Sequence, residues 1–395
     1  MANVFKPRSV RELLTEMKDV SDLMIDLAYA TVLFKSDELA DRVYELEMRM
    51  DELMYNIRSI AAVVTRNIHE ARKITGILQV AGAAEAISNA AGELADLVRR
   101  RIEIHPAVCD ALRAADEKIS RAEIAKGSVL AGKRLDELNL PSNMGVWVLA
   151  LKRKKRLTRK RWIVPVEEGT QVSAGDMLIV KGPRDSIEVL RRMAGVHRGE
   201  WAPRNGLPFI RKNLAEMRDL SSVMVDMAYS SILLGSVEIA KEVRELEEKF
   251  DRLNYKLWLA TLKAAKGERD VTRLNSLLGV VKCMERISNA ADSIADVVLR
   301  KVELHPVFAR SLAESDEQIA RADVSKRSAL VGKSLGELNL WTTAGVYTLM
   351  IKREKRYLFN PSKRVRVRAG DSLIVRGPHS GVRKVKKATG GWKIR

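Results

Sequence analysis

Apolar positions recur every three or four residues through the opening stretch of the chain. They then give way to short runs of β-forming residues, and the whole alternation starts again 200 positions later. Val10, Leu13, Leu14, Met17, Val20, Met24, Leu27 and Thr31 fall on one face of a helix, predicted to run to about Phe34. Ser9 with Glu12 reads as its capping box. Ser36 is placed to cap a second helix, whose stripe is Leu39, Val43, Leu46, Met50, Leu53, Ile57 and Ile60, ending at about Asn67. A third helix is predicted from about Glu70 to Glu103, with Ile77, Leu78, Ala81, Ala84, Ala91, Leu94 and Val98 facing inward. His105-Pro106 ends it, because the residue before proline is pushed out of the helical region. His105 and His305 are expected to cap the last carbonyls and complement the helix dipole. A short helix, Ala107 to Ala115, follows. Three long helices with short joints predict an antiparallel bundle.

The pattern changes near Ile119. KGSVLAGKRLDELNL (Lys126–Leu140) predicts a short strand, a turn and one small helix. GVWVLALKR (Gly145–Arg153), WIVPV and MLIVKGP predict strands, VSAGD (Val172–Asp176) a turn, and Pro183 starts a helix. Short strands alternating with two helices are α+β. Gly195 to Leu207 reads as a linker. The expected organisation is therefore a bundle over 1–118, an α+β unit over 119–195, a linker over 196–207, a second bundle over 208–318 and a second α+β unit over 319–395. The overall class is α+β, with three-helix bundles alternating with small α+β units in tandem. The repeat is plainest at AEAISNAAGELAD (Ala84–Asp96) and MERISNAADSIAD (Met284–Asp296). The offset is 200 as far as Arg156/Arg356 and 195 at Asp176/Asp371. No acidic residue follows Asp371, and the basic tail GVRKVKKATGGWKIR (Gly381–Arg395) is expected to fray.

Composition sharpens this only in part. A net charge of +19 suits a polyanionic partner, whether nucleic acid, nucleotide or anionic lipid. With 31% charged residues and few aromatics it equally suits a surface of ion-pair networks. No apolar run reaches the length of a membrane span and the N-terminus has no signal-like apolar region. The expected location is cytoplasmic, with a place at the inner face of the membrane only through a partner. Cys109 and Cys283 face Ala309 and Ala83 at the repeat offset, which argues against a disulfide framework or a Cys-rich metal site.

The residues also carry two family likenesses. Glu47-x-x-x-Asp51 and Glu247-x-x-x-Asp251 on the second helices, with Glu85-Ala-Ile-Ser-Asn89 and Glu285-Arg-Ile-Ser-Asn289 on the third, resemble half of a PhoU-type bundle. Asn stands where that family has its second carboxylate, in both copies. GSVLAGKRLDELNL, GVWVLALKR and AGDMLIVKGP, with SALVGKSLGELNL, GVYTLMIKR and AGDSLIVRGP, resemble the C-terminal regulatory domain of TrkA-type potassium-transport proteins (RCK-C). The combination is similar to archaeal proteins that pair the two. The resemblance implies a cytosolic regulator of a potassium transporter or channel that responds to a small ligand at paired α+β units. The alternative it implies is a PhoU-like metal-binding regulator of phosphate uptake. No G-x-G-x-x-G follows a strand, so no dinucleotide fold is implied.

Candidate site residues follow from both readings. The carboxylates Glu47, Asp51, Glu85, Asp96, Glu247, Asp251, Glu285 and Asp296 have the spacing to present oxygen ligands to a divalent metal or iron, the position of the metal cluster in PhoU relatives. The competing reading is a surface stripe bridged to Arg49, Arg99 and their equivalents. Asp22, Asp26 and Tyr29 sit on one face of the first helix, with Asp226 and Tyr229 in copy two and Ser222 in place of Asp22; a buried hydrogen-bond network between helices is expected. Lys152, Arg153 and Arg156, with Lys352, Arg353 and Arg356, belong to basic hairpins whose alternate side chains could face a small anionic ligand. Resemblance to the TrkA-type domains makes a cyclic dinucleotide such as cyclic di-AMP, or another nucleotide, a candidate. The competing reading is an edge strand guarded against aggregation. Only Trp162 and Tyr357 interleave these runs, so nucleic acid is not the expected partner. No nucleophile elbow, P-loop or HExxH is present, and the chain is expected to be non-catalytic. The two copies are expected to clasp each other as an internal pseudo-dimer, with further homo-oligomers open.

Overall fold

The computed structural model describes residues 8–153, 161–195, 207–267, 272–302, 307–354, 356–359 and 361–390. The chain opens with α1 (Val10–Phe34), α2 (Asp37–Val64), α3 (Ile68–Arg99) and the short α4 (Pro106–Ala114). Ser9 and Glu12 form the capping box: the Glu12 amide donates to Ser9 Oγ at 3.2 Å and the Ser9 amide to Glu12 Oε2 at 2.8 Å. Ser36 caps α2, and the predicted stripe of Leu39, Val43, Met50, Leu53 and Ile57 is buried. His105 is corrected by one helix. It sits at the N-cap of α4, where its Nδ1 accepts from the Ala107 amide at 3.1 Å, rather than closing α3. Pro106 explains this, since proline is preorganised for the first turn of the helix that follows it. His305 lies outside the described residues.

The α+β unit follows as β1 (Lys118–Glu123), α5 (Leu135–Leu138), α6 (Leu140–Met144), β2 (Trp147–Arg153), β3 (Arg161–Ile163), β4 (Met177–Gly182) and α7 (Arg184–Met193). The strands form one antiparallel sheet in the order β1-β4-β2-β3. The strand expected in KGSVLAG is absent: those residues are turns, tied by bonds such as Ala131 N to Ser128 O. One edge of the sheet is β1 instead, in a charged stretch with little β pattern of its own. The programme repeats as α8 (Pro208–Leu234), α9 (Val237–Ala265), α10 (Thr272–Leu299), α11 (Val307–Glu314), β5 (Gln318–Asp323), α12 (Leu335–Leu338), α13 (Leu340–Ala344), β6 (Tyr347–Arg353), β7 (Arg356–Phe359), β8 (Ser372–Gly377) and α14 (His379–Thr389). The basic tail is therefore not frayed over its whole length. Val382 and Val385 are buried against the second sheet, which holds α14 in place.

The two copies share one core. Buried residues of α1–α3 and α8–α10 belong to a single apolar cluster. α3 and α10 pack side by side, α4 lies mainly on α8, and α11 on α1. The exchange is tied by polar bonds between copies, including Arg11 to Glu314 at 2.9 Å, His105 N to Ser276 Oγ at 2.9 Å and Gln79 Nε2 to Ser293 O at 2.8 Å. Each sheet has one face on this core and the other on its own small core. In β4, Ile179 joins the bundle while Leu178 and Val180 face α7. In β8, Ile374 joins the bundle while Leu373 and Val375 face the other way.

The α+β units meet back to back at Gly145 and Gly345, which close α6 and α13 with φ of +64° and +66°. A Cβ on Gly345 would lie 1.9 Å from the Pro141 carbonyl oxygen, and one on Gly145 2.3 Å from that of Trp341. Lys384 Nζ donates to the Ser142 carbonyl at 3.1 Å across the same junction, beside a Ser142–Ser380 hydroxyl contact. Among the described residues no helix is long and apolar enough to cross a membrane.

Candidate ligand site at the seam

Strand alternation delivers the central feature. Lys181 and Arg376 are two residues beyond Ile179 and Ile374, so they point to the bundle face of each sheet. There they enter a buried charge network built from equivalent residues of the two copies. Lys181 Nζ lies 2.8 Å from Asp26 Oδ2 and 2.5 Å from Glu317 Oε1. Arg376 lies 2.9 Å from Asp226, 3.2 Å from Glu317 and 3.6 Å from Glu117. Glu317 thus bridges a cation from each α+β unit. Lys18 bonds Asp22 at 2.7 Å and the Glu317 carbonyl at 3.2 Å, while its counterpart Arg218 bonds Asp219 at 3.0 Å and approaches Glu117 at 3.8 Å. Each also stands over the other copy's tyrosine: Lys18 is 5.8 Å from the Tyr229 ring and Arg218 5.7 Å from the Tyr29 ring. Asp19 and Asp219 accept the backbone amides of Asp316 and Asp116 across the seam, at 3.0 and 3.2 Å.

Carboxylates outnumber cations here, and burial sets how they titrate. Burial pushes Asp226 up to about 7 against the opposing pull of Arg376, and pushes Asp19 up to about 7 against Lys18. Burial likewise raises Asp26 to about 6 against Lys181. Glu317 goes the other way: burial opposes its charge, but Lys181 and Arg376 together hold it down at about 2. The difference is physical, since Glu317 has two cations and Asp26 shares one. Burial would depress Lys181 and Arg376, yet the surrounding carboxylates hold both well above their usual range.

Two cavities adjoin the network. One of about 40 Å³ lies within it, among Asp26, Glu117, Lys181, Asp226, Glu317 and Arg376. A larger chamber of about 500 Å³ lies between α8, α9 and the second sheet, sharing Arg376, Asp226 and Glu117 with the network. Trp341 of α13, with Tyr347 and Phe359 of the second sheet, also lines this chamber.

The sequence-derived candidates fall elsewhere. Arg153 and Arg353 bind the turn carboxylates Asp176 and Asp371 with both Nε and a terminal nitrogen, at 2.6–3.1 Å and 2.8 Å. Those carboxylates are 2% and 1% exposed and also accept the Ser173 and Arg368 amides, both at 2.8 Å. Lys152 pairs with Glu38 on α2 and lies over the Trp162 ring; Lys352 lies over Tyr357. Arg356 is exposed on β7. Arg156, with Lys154, Lys155, Arg159, Lys160 and Lys355, lies outside the described residues, as does most of the 196–207 linker.

Of the candidate metal carboxylates, Glu85 pairs with Arg58 at 3.1 Å, and Asp96 with Arg99 and Arg100 at 3.4 and 3.3 Å. Asp296 pairs with Arg244 at 3.2 Å and also with Arg300. Glu47 and Glu247 are raised by burial first, then by Asp51 and Asp251 beside them. Glu285 acts on Glu247 in the same sense. Among the described residues no three His, Cys, Asp or Glu side chains are grouped to hold a metal ion.

The expected interhelical network is therefore formed by Asp22, Asp26 and Asp226, in the middle of a larger assembly, while Tyr29 and Tyr229 join it through their rings rather than as hydrogen-bonded hydroxyls. Lys181, Arg376, Glu117 and Glu317 do not stand out in the sequence as candidates. MLIVKGP and SLIVRGP read as continuous apolar runs, yet one cation at the same place in both was a usable signal.

The family comparisons agree with this architecture. The TrkA-C domain model matches residues 119–195 and 319–390, and the PhoU domain model matches residues 214–298. The chain carries two TrkA-C domains and a PhoU domain. No curated protein matches it. Among solved structures, PhoU from Pseudomonas aeruginosa is 14% identical over 73% of this chain and 93% of its own, with a TM-score of 0.39. The phosphate transport system regulatory protein PhoU from Streptococcus pneumoniae is 12% identical over 75% and 97%, with a TM-score of 0.41. The GsuK RCK domain is 13% identical over 80% of this chain and 79% of its own, with a TM-score of 0.18.

Proposed function

We propose that this chain, with a PhoU domain and two TrkA-C domains joined in one molecule, is a non-catalytic regulatory subunit of a membrane cation transporter or channel, with potassium as the ion. It works on the cytoplasmic side, and a small ligand at the α+β units sets its state. The observation that carries the reading is the link between layers. Lys181 and Arg376 leave the sheets and end on carboxylates of α1, α8 and the opposite copy. A ligand that prefers one arrangement of the sheets shifts the bundles with it, by as much as its affinities for the two arrangements differ. Tyr55, Tyr255, Trp258 and Leu262 stand exposed on α2 and α9 and offer the bundle apolar surface for a partner.

The alternative, a metal-binding regulator of phosphate uptake, is favoured by the PhoU match at residues 214–298. Deletion of the gene separates the two. The proposal expects altered potassium (or rubidium) uptake with phosphate uptake unchanged. Altered phosphate uptake alone would sink it and leave the alternative standing. Isothermal titration of the purified chain with cyclic di-AMP and other nucleotides tests the ligand class.

A further inference from the structure

The larger chamber has a composition that selects a ligand unlike the anions suggested by net charge. Its lining carries six carboxylates and three cationic side chains, and all three cations are already taken. Lys249 pairs with Glu216 at 2.8 Å, Arg218 with Asp219 at 3.0 Å, and Arg376 with Asp226 at 2.9 Å. An anion entering the chamber would meet engaged cations and surplus negative charge. Glu242 on α9 is half-buried, and burial with Glu245 behind it raises its carboxyl. The same chamber holds an aromatic corner: Trp341 and Tyr347 meet edge to face, with centroids 5.1 Å apart at 75°, and Phe359 adds to the lining. The acidic field reaches this corner. Tyr347 is pushed up to about 12, by burial first and then by Asp116.

We propose that this chamber is a binding site for a small organic ammonium ion, held between the Glu242 carboxylate and the faces of Trp341, Tyr347 and Phe359. Aromatic faces attract cations through their quadrupole, most strongly where water is displaced. A bare inorganic ion would gain little. The space of about 500 Å³ is ligand-sized, and Leu220, Val223, Met227 and Leu246 ask for an apolar body. The first copy lacks the same groups: Arg42 stands at the position of Glu242 and pairs with Glu45, and Pro141 stands at the position of Trp341. The chain should therefore hold one such ligand, not two. Because Arg376 and Asp226 are shared with the seam network, the bound charge is placed to bias it. The site stands apart from the transporter reading, since its test needs no transporter.

The test is isothermal titration of the full chain with 1,4-diaminobutane and with tetramethylammonium, with potassium chloride and AMP as controls. Saturable binding of at least one amine is expected, one per chain. It should weaken about tenfold in Glu242→Gln and vanish in Glu242→Arg, a residue the other copy carries at that place. Trp341→Leu should weaken it too; Glu242 lies away from the junction that Trp341 helps to form, so the Glu242 variants remain decisive if Trp341→Leu misfolds. No saturable binding of either amine, equal competition by potassium, two sites per chain, or affinity indifferent to both Glu242 variants would each overturn the proposal.

Discussion

At the scale of single residues, the AGD turns show how a motif's meaning hides in a partner. Asp176 and Asp371 look like turn punctuation in the sequence. Each is a buried carboxylate gripping an arginine from the neighbouring strand and a backbone amide at the turn's start. Removing the carboxylate's charge leaves the arginine without its ion pair at the rim of the sheet. Asp371→Asn should cost about 2–4 kcal/mol, at the lower side of a buried pair because Arg353 remains partly exposed. Urea unfolding measures it, and a loss below about 0.5 kcal/mol would mean that the pair behaves like a surface contact. Arg153 and Arg353 were legible as basic residues on a strand, but their partners lie 23 and 18 positions away in sequence and only pairing of the strands brings them together. The same limit hid Glu317, whose two cations come from different copies.

At the scale of elements, helices were the most readable part. The stripes of α1 and α2 and their serine caps follow from local chemistry alone. Their partners do not: amphipathic stripes say that a face is buried, not that α4 lies on α8 rather than on its own bundle. β1 was missed because Lys118–Glu123 is mostly polar and is held by β4, not by propensity. The junction of α6 with α13 rests on glycine for two reasons, a left-handed backbone and a carbonyl where a side chain would be. Gly345→Ala should therefore part the α+β units while sparing the helical core. Hydrogen exchange should rise at residues 140–145 and 340–345, with α3 and α10 still protected. Equal loss of protection in α3 and α10 would show that the junction and the core open as one unit.

At the scale of the whole molecule, the seam ties stability to pH. Asp226 and Asp19, raised to about 7, and Asp26, raised to about 6, hold protons in the folded chain that unfolded aspartates, near 3.8, have already released. Between those values the folded state binds more protons, so stability falls as pH rises, by up to about 1.4 kcal/mol per unit for each group. Above about pH 7 their effect is complete. Glu317 has the opposite sign: held at about 2, its contribution is fully present above the unfolded value of 4.5 and is lost only as pH falls toward 2. The network therefore favours the folded chain most at mildly acid pH and progressively less toward neutrality. Asp226→Asn removes one of the titrating groups and should flatten the decline of the urea midpoint between about pH 5 and 7, whatever it does to the midpoint itself. A wild-type midpoint that climbs over that range, or a slope untouched by Asp226→Asn, would show that the excess carboxylates are neutralised by something other than protons.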